Sequence, residues 1–187
     1  MHVLRLSDYK RMPWKNGGGE TLEIAVFPPE APAGAFDWRI SMATVAANGP
    51  FSSFPGIDRT LTVIDGDAME LTVEGHPPAL LYQGSEPYSF PGDVPTSGRL
   101  RSGPIADLNV MVRRGLTHSV TRLDAAALPQ AQVGSPTLFV VALETVILSN
   151  GADEHTLQRH DSMDISGEML TELVVLRSGA VLLIAIG

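Results

Sequence analysis

Cysteine is absent from this 187-residue chain. That excludes thiol nucleophiles, thiolate metal sites and disulfide frameworks together, and it agrees with a reducing compartment. Lysine and arginine are sparse, 13 against 21 acidic residues, for a net charge of −8. The basic residues stand singly or in pairs, Lys10-Arg11 and Arg113-Arg114, whereas a phosphate-binding face needs them gathered, so no nucleic-acid partner is expected. Long apolar runs are also missing. The most extended, residues 173–186, is interrupted by Arg177 and Gly179 and falls short of the ~20 apolar residues that a membrane helix needs. Charged residues follow Met1-His2-Val3-Leu4 where a signal peptide would carry its apolar core. The expectation is a cytoplasmic chain with no membrane partner.

Metal and nucleophile motifs are lacking too. The histidines are His2, His76, His118, His155 and His160, and no two show the His-x-His or His-x-x-x-His spacing that aims two imidazoles at one ion. His155 and His160 share a loop-like stretch with Glu154 and Asp161, but ligand type without geometry is weak evidence. No metal and no cofactor are expected. No Gly-x-Ser-x-Gly elbow occurs, which removes the usual hydrolase signal.

What is present is strand periodicity. Apolar residues make up 44% of the chain and charged residues 18%, enough at this length for a core that needs no disulfide or metal. Leu22, Ile24 and Val26 alternate with Thr21, Glu23 and Ala25; Leu61 and Val63 alternate with Thr60 and Thr62; Met69, Leu71 and Val73 alternate with Glu70, Thr72 and Glu74. The last two runs meet at Asp65-Gly66-Asp67, a hairpin signal. Further strands are expected over residues 38–45, 79–83, 108–113, 138–143, 146–148, 173–177 and 181–184. Helix signals are few: Ser7 could cap a turn over residues 8–11, and Asp124 one over 125–128, each stopped by a proline. Many short strands separated by glycine- and proline-rich turns point to an all-β sandwich or barrel. A faint repeat divides the chain. Met69 to Gly75 is followed by Gly92-Asp93, as Val146 to Gly151 is followed by His160-Asp161. Residues 97–103 are the best internal boundary, giving an N-terminal half over 1–105 and a C-terminal half over 106–187.

Three stretches carry unusual chemistry. In Trp14-Lys15-Asn16-Gly17-Gly18-Gly19-Glu20-Thr21 the glycines suit a close backbone approach or a positive φ. They have neither Walker nor dinucleotide spacing, and a glycine bulge with Trp14 plugging the core is the plainer reading. In Asp37-Trp38-Arg39-Ile40-Ser41-Met42 period-2 geometry puts Asp37, Arg39 and Ser41 on one face, and in the run from Asp107 to Arg113 it gathers Asp107, Asn109, Met111 and Arg113. Such faces line either a barrel's hollow or the solvent side of a sheet. Arg59, after the aromatic Phe51-Ser52-Ser53-Phe54-Pro55-Gly56 stretch, either points into the same hollow or fixes a turn with Asp58. Two arginines and an asparagine converging on a cavity would favour a small carboxylate, which guanidinium grips with two parallel bonds.

Taken in order, these motifs resemble the HutD/Ves family: Trp14 to Gly19 with Thr21, Asp37 to Ser41, Phe51 to Gly56 with Asp58-Arg59, Phe90 with Gly92-Asp93, then Asp107 to Met111 with Arg113-Arg114-Gly115. The resemblance covers roughly residues 5 to 115 and is looser beyond. It implies a bicupin, two double-stranded β-helix barrels packed as one compact unit. It also implies a role in histidine utilisation, restraining the pathway by sensing a carboxylate metabolite such as urocanate or N-formylglutamate. Metal-dependent cupins carry His-x-His and a Glu shortly before a Gly. Gly66 resembles that Gly, but residues 52–59 hold neither His nor Glu, and residues 90–98 hold no His.

The favoured expectation is a non-enzymatic regulator whose first half binds a small carboxylate with Trp14, Lys15, Asn16, Arg39, Ser41, Arg59, Asn109 and Arg113. Arg39 or Arg113 makes the bidentate contact, Asn109 orients, and Trp14 supplies a wall. The alternative is a metal-independent isomerase or lyase on a small organic acid, with Lys15, Glu20 or Asp58 as acid/base group. A third reading, a protein whose barrel holds nothing, would show a filled first barrel with Arg39 and Arg113 turned to solvent. A homodimer suits the cupin habit, though no interface is legible.

Overall fold

The computed structural model describes residues 1–15, 17–32, 34–124, 137–149, 153–166, 174–175 and 179–187. The chain forms two compact units. One is Lys10–Gly115; the other joins Met1–Tyr9 to Leu116–Gly187. Strand β1 (His2–Leu4) opens the chain. The first unit follows with β2 (Lys10–Pro13), β3 (Gly19–Phe27), β4 (Trp38–Val45), β5 (Gly49–Pro50), β6 (Ile57–Asp65), β7 (Ala68–Val73), β8 (Ala79–Tyr82), β9 (Tyr88–Pro91), β10 (Thr96–Leu100) and β11 (Ile105–Arg113). The second continues with β12 (His118–Asp124), β13 (Thr137–Ala142), β14 (Val146–Ser149), β15 (Glu154–Leu157), β16 (Ser162–Asp164), β17 (Val174–Val175) and β18 (Ala180–Ile186).

Strand order identifies the winding. In the first unit the ladder β4-β11-β6-β9, extended by β3 and β2, faces a second ladder, β5-β10-β7-β8. Numbered from β4, one sheet takes the first, eighth, third and sixth strands and the other the second, seventh, fourth and fifth. From β4 to β11 every step between successive strands except β7 to β8 crosses between sheets, which is the jelly-roll or double-stranded β-helix arrangement of cupins. In the second unit β12-β18-β13-β16 repeats β4-β11-β6-β9, and β17-β14-β15 repeats β10-β7-β8. The fold is therefore all-β with one cupin winding per unit, as expected.

The pairing explains where local signals mislead. Asp65-Gly66 does not close a hairpin ladder: β6 pairs with β11 and β9, whereas β7 pairs with β10 and β8. The turn carries the chain from one sheet to the other, with Gly66 at φ +84 and Ile105 Cα 2.8 Å from where a Cβ would stand. The boundary read at residues 97–103 falls on β10, which lies between β5 and β7. The chosen division at 105/106 falls within β11, whose residues pair with both β4 and β6. The turn expected over 8–11 comes earlier, as a 3-10 turn over Leu6–Asp8, because Lys10 and Arg11 pair with Glu23 and Leu22. The faint repeat is real in its strand half, since β7 and β14 hold the same place in the winding. Its loop half is not, because Gly92-Asp93 follows β9 whereas His160-Asp161 precedes β16. The turn expected over 125–128, Gly151, and residues 173, 176 and 177 of the expected strand 173–177 lie outside the described residues.

The two interiors differ. The second unit packs Leu138, Val140, Val146, Leu148, Leu157, Met163, Ile165, Val181 and Leu183 into one aliphatic core. The first unit divides its apolar residues: Leu61, Val63, Met69, Leu71, Phe90 and Ile105 form one cluster, and Phe36, Ile57 and Met111 another. Polar side chains of β4, β6 and β11 lie among the buried residues of this unit.

Candidate functional site

A cavity of about 730 Å³ opens into the first unit. Period-2 geometry builds most of its wall. Ser41 and Asn109 are register partners, as are Arg39 and Met111, so β4 and β11 turn Arg39, Ser41, Ala43, Asp107, Asn109 and Met111 to one side, where all six line the cavity. Arg59 of β6, register partner of Met111, joins them. On β3 a bulge at Ile24 shifts the register, so Glu23 sits opposite Ser41 and Val26 opposite Arg39. Glu23 takes Arg39's face by plain alternation with Thr21, the bulge returns Val26 to that face, and Glu23 Oε2 accepts a 2.8 Å bond from Arg39 Nε.

Among the described residues Arg59 is the cation most removed from water, at 5% exposure. Its guanidinium carbon lies 5.0 Å from the ring centre of Phe51, 5.2 Å from that of Phe90 and 5.9 Å from that of Phe54, an aromatic cage of the kind that stabilises a cation. Gly92 leaves room for the stem: a Cβ there would stand 3.2 Å from Arg59 Cδ and 2.8 Å from Ile57 O. Nη2 donates to Asn109 Oδ1 at 2.7 Å, and Nε finds no acceptor among the described residues. Asn109 in turn donates through Nδ2 to Asp107 Oδ1. Asp107 is fully buried and its Oδ2 is unpartnered.

These groups form one buried chain, Arg59 to Asn109 to Asp107, and burial governs its electrostatics. Loss of water pushes the Asp107 carboxyl up from 3.8 to about 7, against the opposing pull of Arg59 and the Asn109 bond. Burial also lowers Arg59 to about 10, while Asp107 pulls the other way. Arg59 therefore stays cationic at neutral pH, and Asp107 is divided between its two forms.

The mouth is made by the β2–β3 loop and the segment around β5. Trp14, half-buried, donates from Nε1 to Thr21 Oγ1 at 2.9 Å. Its ring lies 3.1 Å from where a Cβ on Gly19 would stand, and Thr44 O would be 2.0 Å from that Cβ. Gly17 takes φ +70 and donates its N–H to Trp14 O at 3.0 Å. The glycine run thus serves both close approach and a left-handed turn. Lys15 is exposed on the rim, and both Trp14 and Lys15 line the cavity.

Of the expected site residues the structure brings together Trp14, Lys15, Arg39, Ser41, Arg59 and Asn109. Asn16 lies outside the described residues. Arg113 is elsewhere: it shares the strand face of Asn109 but sits at the end of β11, where its Nε donates to Asp37 Oδ1 at 2.8 Å and its side chain is 54% exposed. The second arginine at the cavity is Arg59. Among the acid/base groups considered, only Lys15 lines it. Glu20 pairs with Arg11 and Asp58 with Arg114. Sequence reasoning leaves Asp107, Glu23 and Phe90 out of the site, whereas the Phe51–Phe54 stretch reads as one that could wall a pocket around Arg59. Asp107 was legible as a neighbour of Asn109 on one strand face, and Glu23 as a neighbour of Thr21 on another. The donor set does not fit a divalent cation, since two guanidinium groups stand beside one buried carboxyl. Among the described residues no three His, Cys, Asp or Glu side chains gather in a metal-holding group, and no helix is long and apolar enough to cross a membrane.

Winding and cavity together define the class: a bicupin with a guanidinium-lined hollow in its first barrel. The chain belongs to the HutD family, whose model matches residues 6–183. It is similar to HutD from Pseudomonas fluorescens, with a TM-score of 0.79 and 32% identity over 99% of this chain and 97% of that one. An uncharacterised 21.2 kDa protein in the hutC 3' region of Pseudomonas putida is 42% identical over 113 residues, 59% of this chain and 57% of that protein. Protein Ves of Citrobacter koseri is 40% identical over 112 residues, 57% of this chain and 56% of Ves. The matched stretch thus spans somewhat over half the length of these two relatives.

Proposed function

We propose that the protein is a non-enzymatic regulator of histidine utilisation that holds a small carboxylate metabolite, urocanate or N-formylglutamate, in its first barrel. The observation that carries this reading is Arg59: a guanidinium at 5% exposure, caged by three phenylalanines, lining the cavity and with no acceptor for Nε among the described residues. Holding a cation in such a place is costly unless an anion repays it, and Asp107 at neutral pH repays only part. Three rings surround the guanidinium carbon, and a carboxylate is the anion whose two oxygens match guanidinium N–H donors with parallel bonds. Arg39, ion-paired with Glu23, adds further N–H donors, Ser41 and Asn109 add polar contacts, and Trp14 walls the mouth. The hutC neighbourhood of the Pseudomonas putida relative supports the pathway.

A thermal-shift screen against histidine-pathway intermediates tests the reading. A ligand bound only by the folded chain stabilises it by about 2.7 kcal/mol at a hundredfold excess over Kd, roughly 5–10 °C for a chain of this size. Arg39→Ala and Arg59→Gln should each abolish the shift. A full shift in Arg39→Ala removes Arg39 from the site; a full shift in both variants ends the carboxylate reading.

A further inference from the structure

We infer that Asp107 takes up a proton as the ligand enters, so that the site binds a carboxylate together with one proton. The inference rests on the carboxylate reading above and adds a stoichiometry to it. Its basis is the single chain Arg59–Asn109–Asp107, in which one buried guanidinium already serves one buried carboxyl through a bridging amide. An incoming carboxylate claims the same guanidinium. Two anions would then share one cation away from water, and like charges so placed do not both ionise.

The other charged groups facing this region do not relieve the conflict. Arg39 of β4 is engaged by Glu23 of β3 at 2.8 Å, so that pair adds no net charge. Lys15 of the β2–β3 loop is exposed on the rim, where water screens it. The segment around β5 contributes Asn48, Phe51 and Ser52 to the lining, and β10 contributes Gly98, none of them charged. Asp107 is the one group in the chain that can give up its charge, because Arg59 stays protonated. The carboxyl is already poised for this: burial holds it near neutrality, and its Oδ2 makes no bond that ionisation would strengthen.

The device also sets specificity. A ligand must bring an anion strong enough to replace the Asp107 charge at Arg59, and a neutral amide of the same shape has nothing to exchange. N-formylglutamate is the suitable probe because none of its own groups titrates near pH 7. Calorimetric titration of the full chain in two buffers of equal pH and different ionisation enthalpy reads proton uptake directly. At pH 8 the wild type should take up close to one proton per ligand, and its affinity should fall nearly tenfold for each further pH unit. Asp107→Asn keeps the shape, and it should bind with buffer-independent heat and a flat pH profile. Wild-type binding without buffer dependence overturns the proton linkage and leaves the carboxylate site standing. Proton uptake that survives Asp107→Asn overturns the assignment to Asp107. Absence of binding at every pH, with the chain folded, overturns the carboxylate site and the linkage with it.

Discussion

At the scale of single residues, the Arg59–Asn109–Asp107 chain predicts a pH dependence of stability even without ligand. Asp107 carries its proton up to about pH 7 when folded, against 3.8 for an unperturbed aspartate. Between those values the folded chain holds a proton that the unfolded chain has released. Stability from this residue is thus fully present below the unfolded value and is lost as pH rises toward and through 7, by at most about 1.4 kcal/mol per pH unit. Asp107→Asn should flatten that decline between pH 4 and 7 in urea unfolding. An unchanged slope would show that the carboxyl is not held in its acid form. The same scale shows what the sequence reveals. Arg39, Ser41, Asn109 and Asp107 were legible because period-2 alternation needs only a strand, and Arg113 misled because alternation says which face a residue takes, not whether the barrel extends that far. Arg59 was legible as one of two options, and its choice depended on Phe51 and Phe54 of one stretch meeting Phe90 from another.

At the scale of elements, glycines place the site. The β2–β3 loop closes on Trp14 because Gly19 lets β3 run against Thr44 O, where a Cβ would come within 2.0 Å. Gly19→Ala should therefore move either β3 from β4 or the Trp14 ring from the rim, at an overpacking cost of about 1–3 kcal/mol. Denaturant unfolding reads the cost and tryptophan fluorescence the ring's displacement; a variant with wild-type midpoint and spectrum would show that the loop has slack. Strands such as β3, β4, β6, β7, β11, β13 and β18 were legible because β-branched and apolar alternation is a local property, whereas β10 and β12 were not expected. Strand pairing was not. The Asp65-Gly66 turn looks the same whether it joins neighbours in one sheet or sends the chain to the opposite one, and only the jelly-roll winding decides between them. Short edge strands such as β5 and β9 carry too few residues for any period to show.

At the scale of the whole molecule, the two units share a winding and differ in what fills it. Aliphatic side chains occupy the second barrel's interior where the first gathers arginines, an asparagine and an aspartate. Polar function and a dry core compete for the same inward positions, so dividing them between two copies of one fold lets each be satisfied. The second unit also takes in the chain's first strand. β1 pairs with β16, and Asp161 fastens the following turn: Oδ1 accepts from Leu6 N at 2.9 Å, and Oδ2 from Gln158 N at 3.0 Å and Arg5 Nη1 at 2.7 Å. Those bonds favour the carboxylate and hold Asp161 below its ordinary value. The sign is opposite to that of Asp107: this contribution is present above about pH 4 and is lost as acid protonates the group. Asp161→Ala should cost about 2–3 kcal/mol at pH 7, as expected for hydrogen bonds to a charged acceptor, and should remove part of the acid sensitivity below pH 4. Because Asp161 and the cavity lie in different units, the same variant should keep the carboxylate-induced thermal shift, measured from its own lower baseline. Loss of that shift in a folded Asp161→Ala chain would mean that the second barrel supports the site in the first, contrary to the division of labour drawn from their interiors.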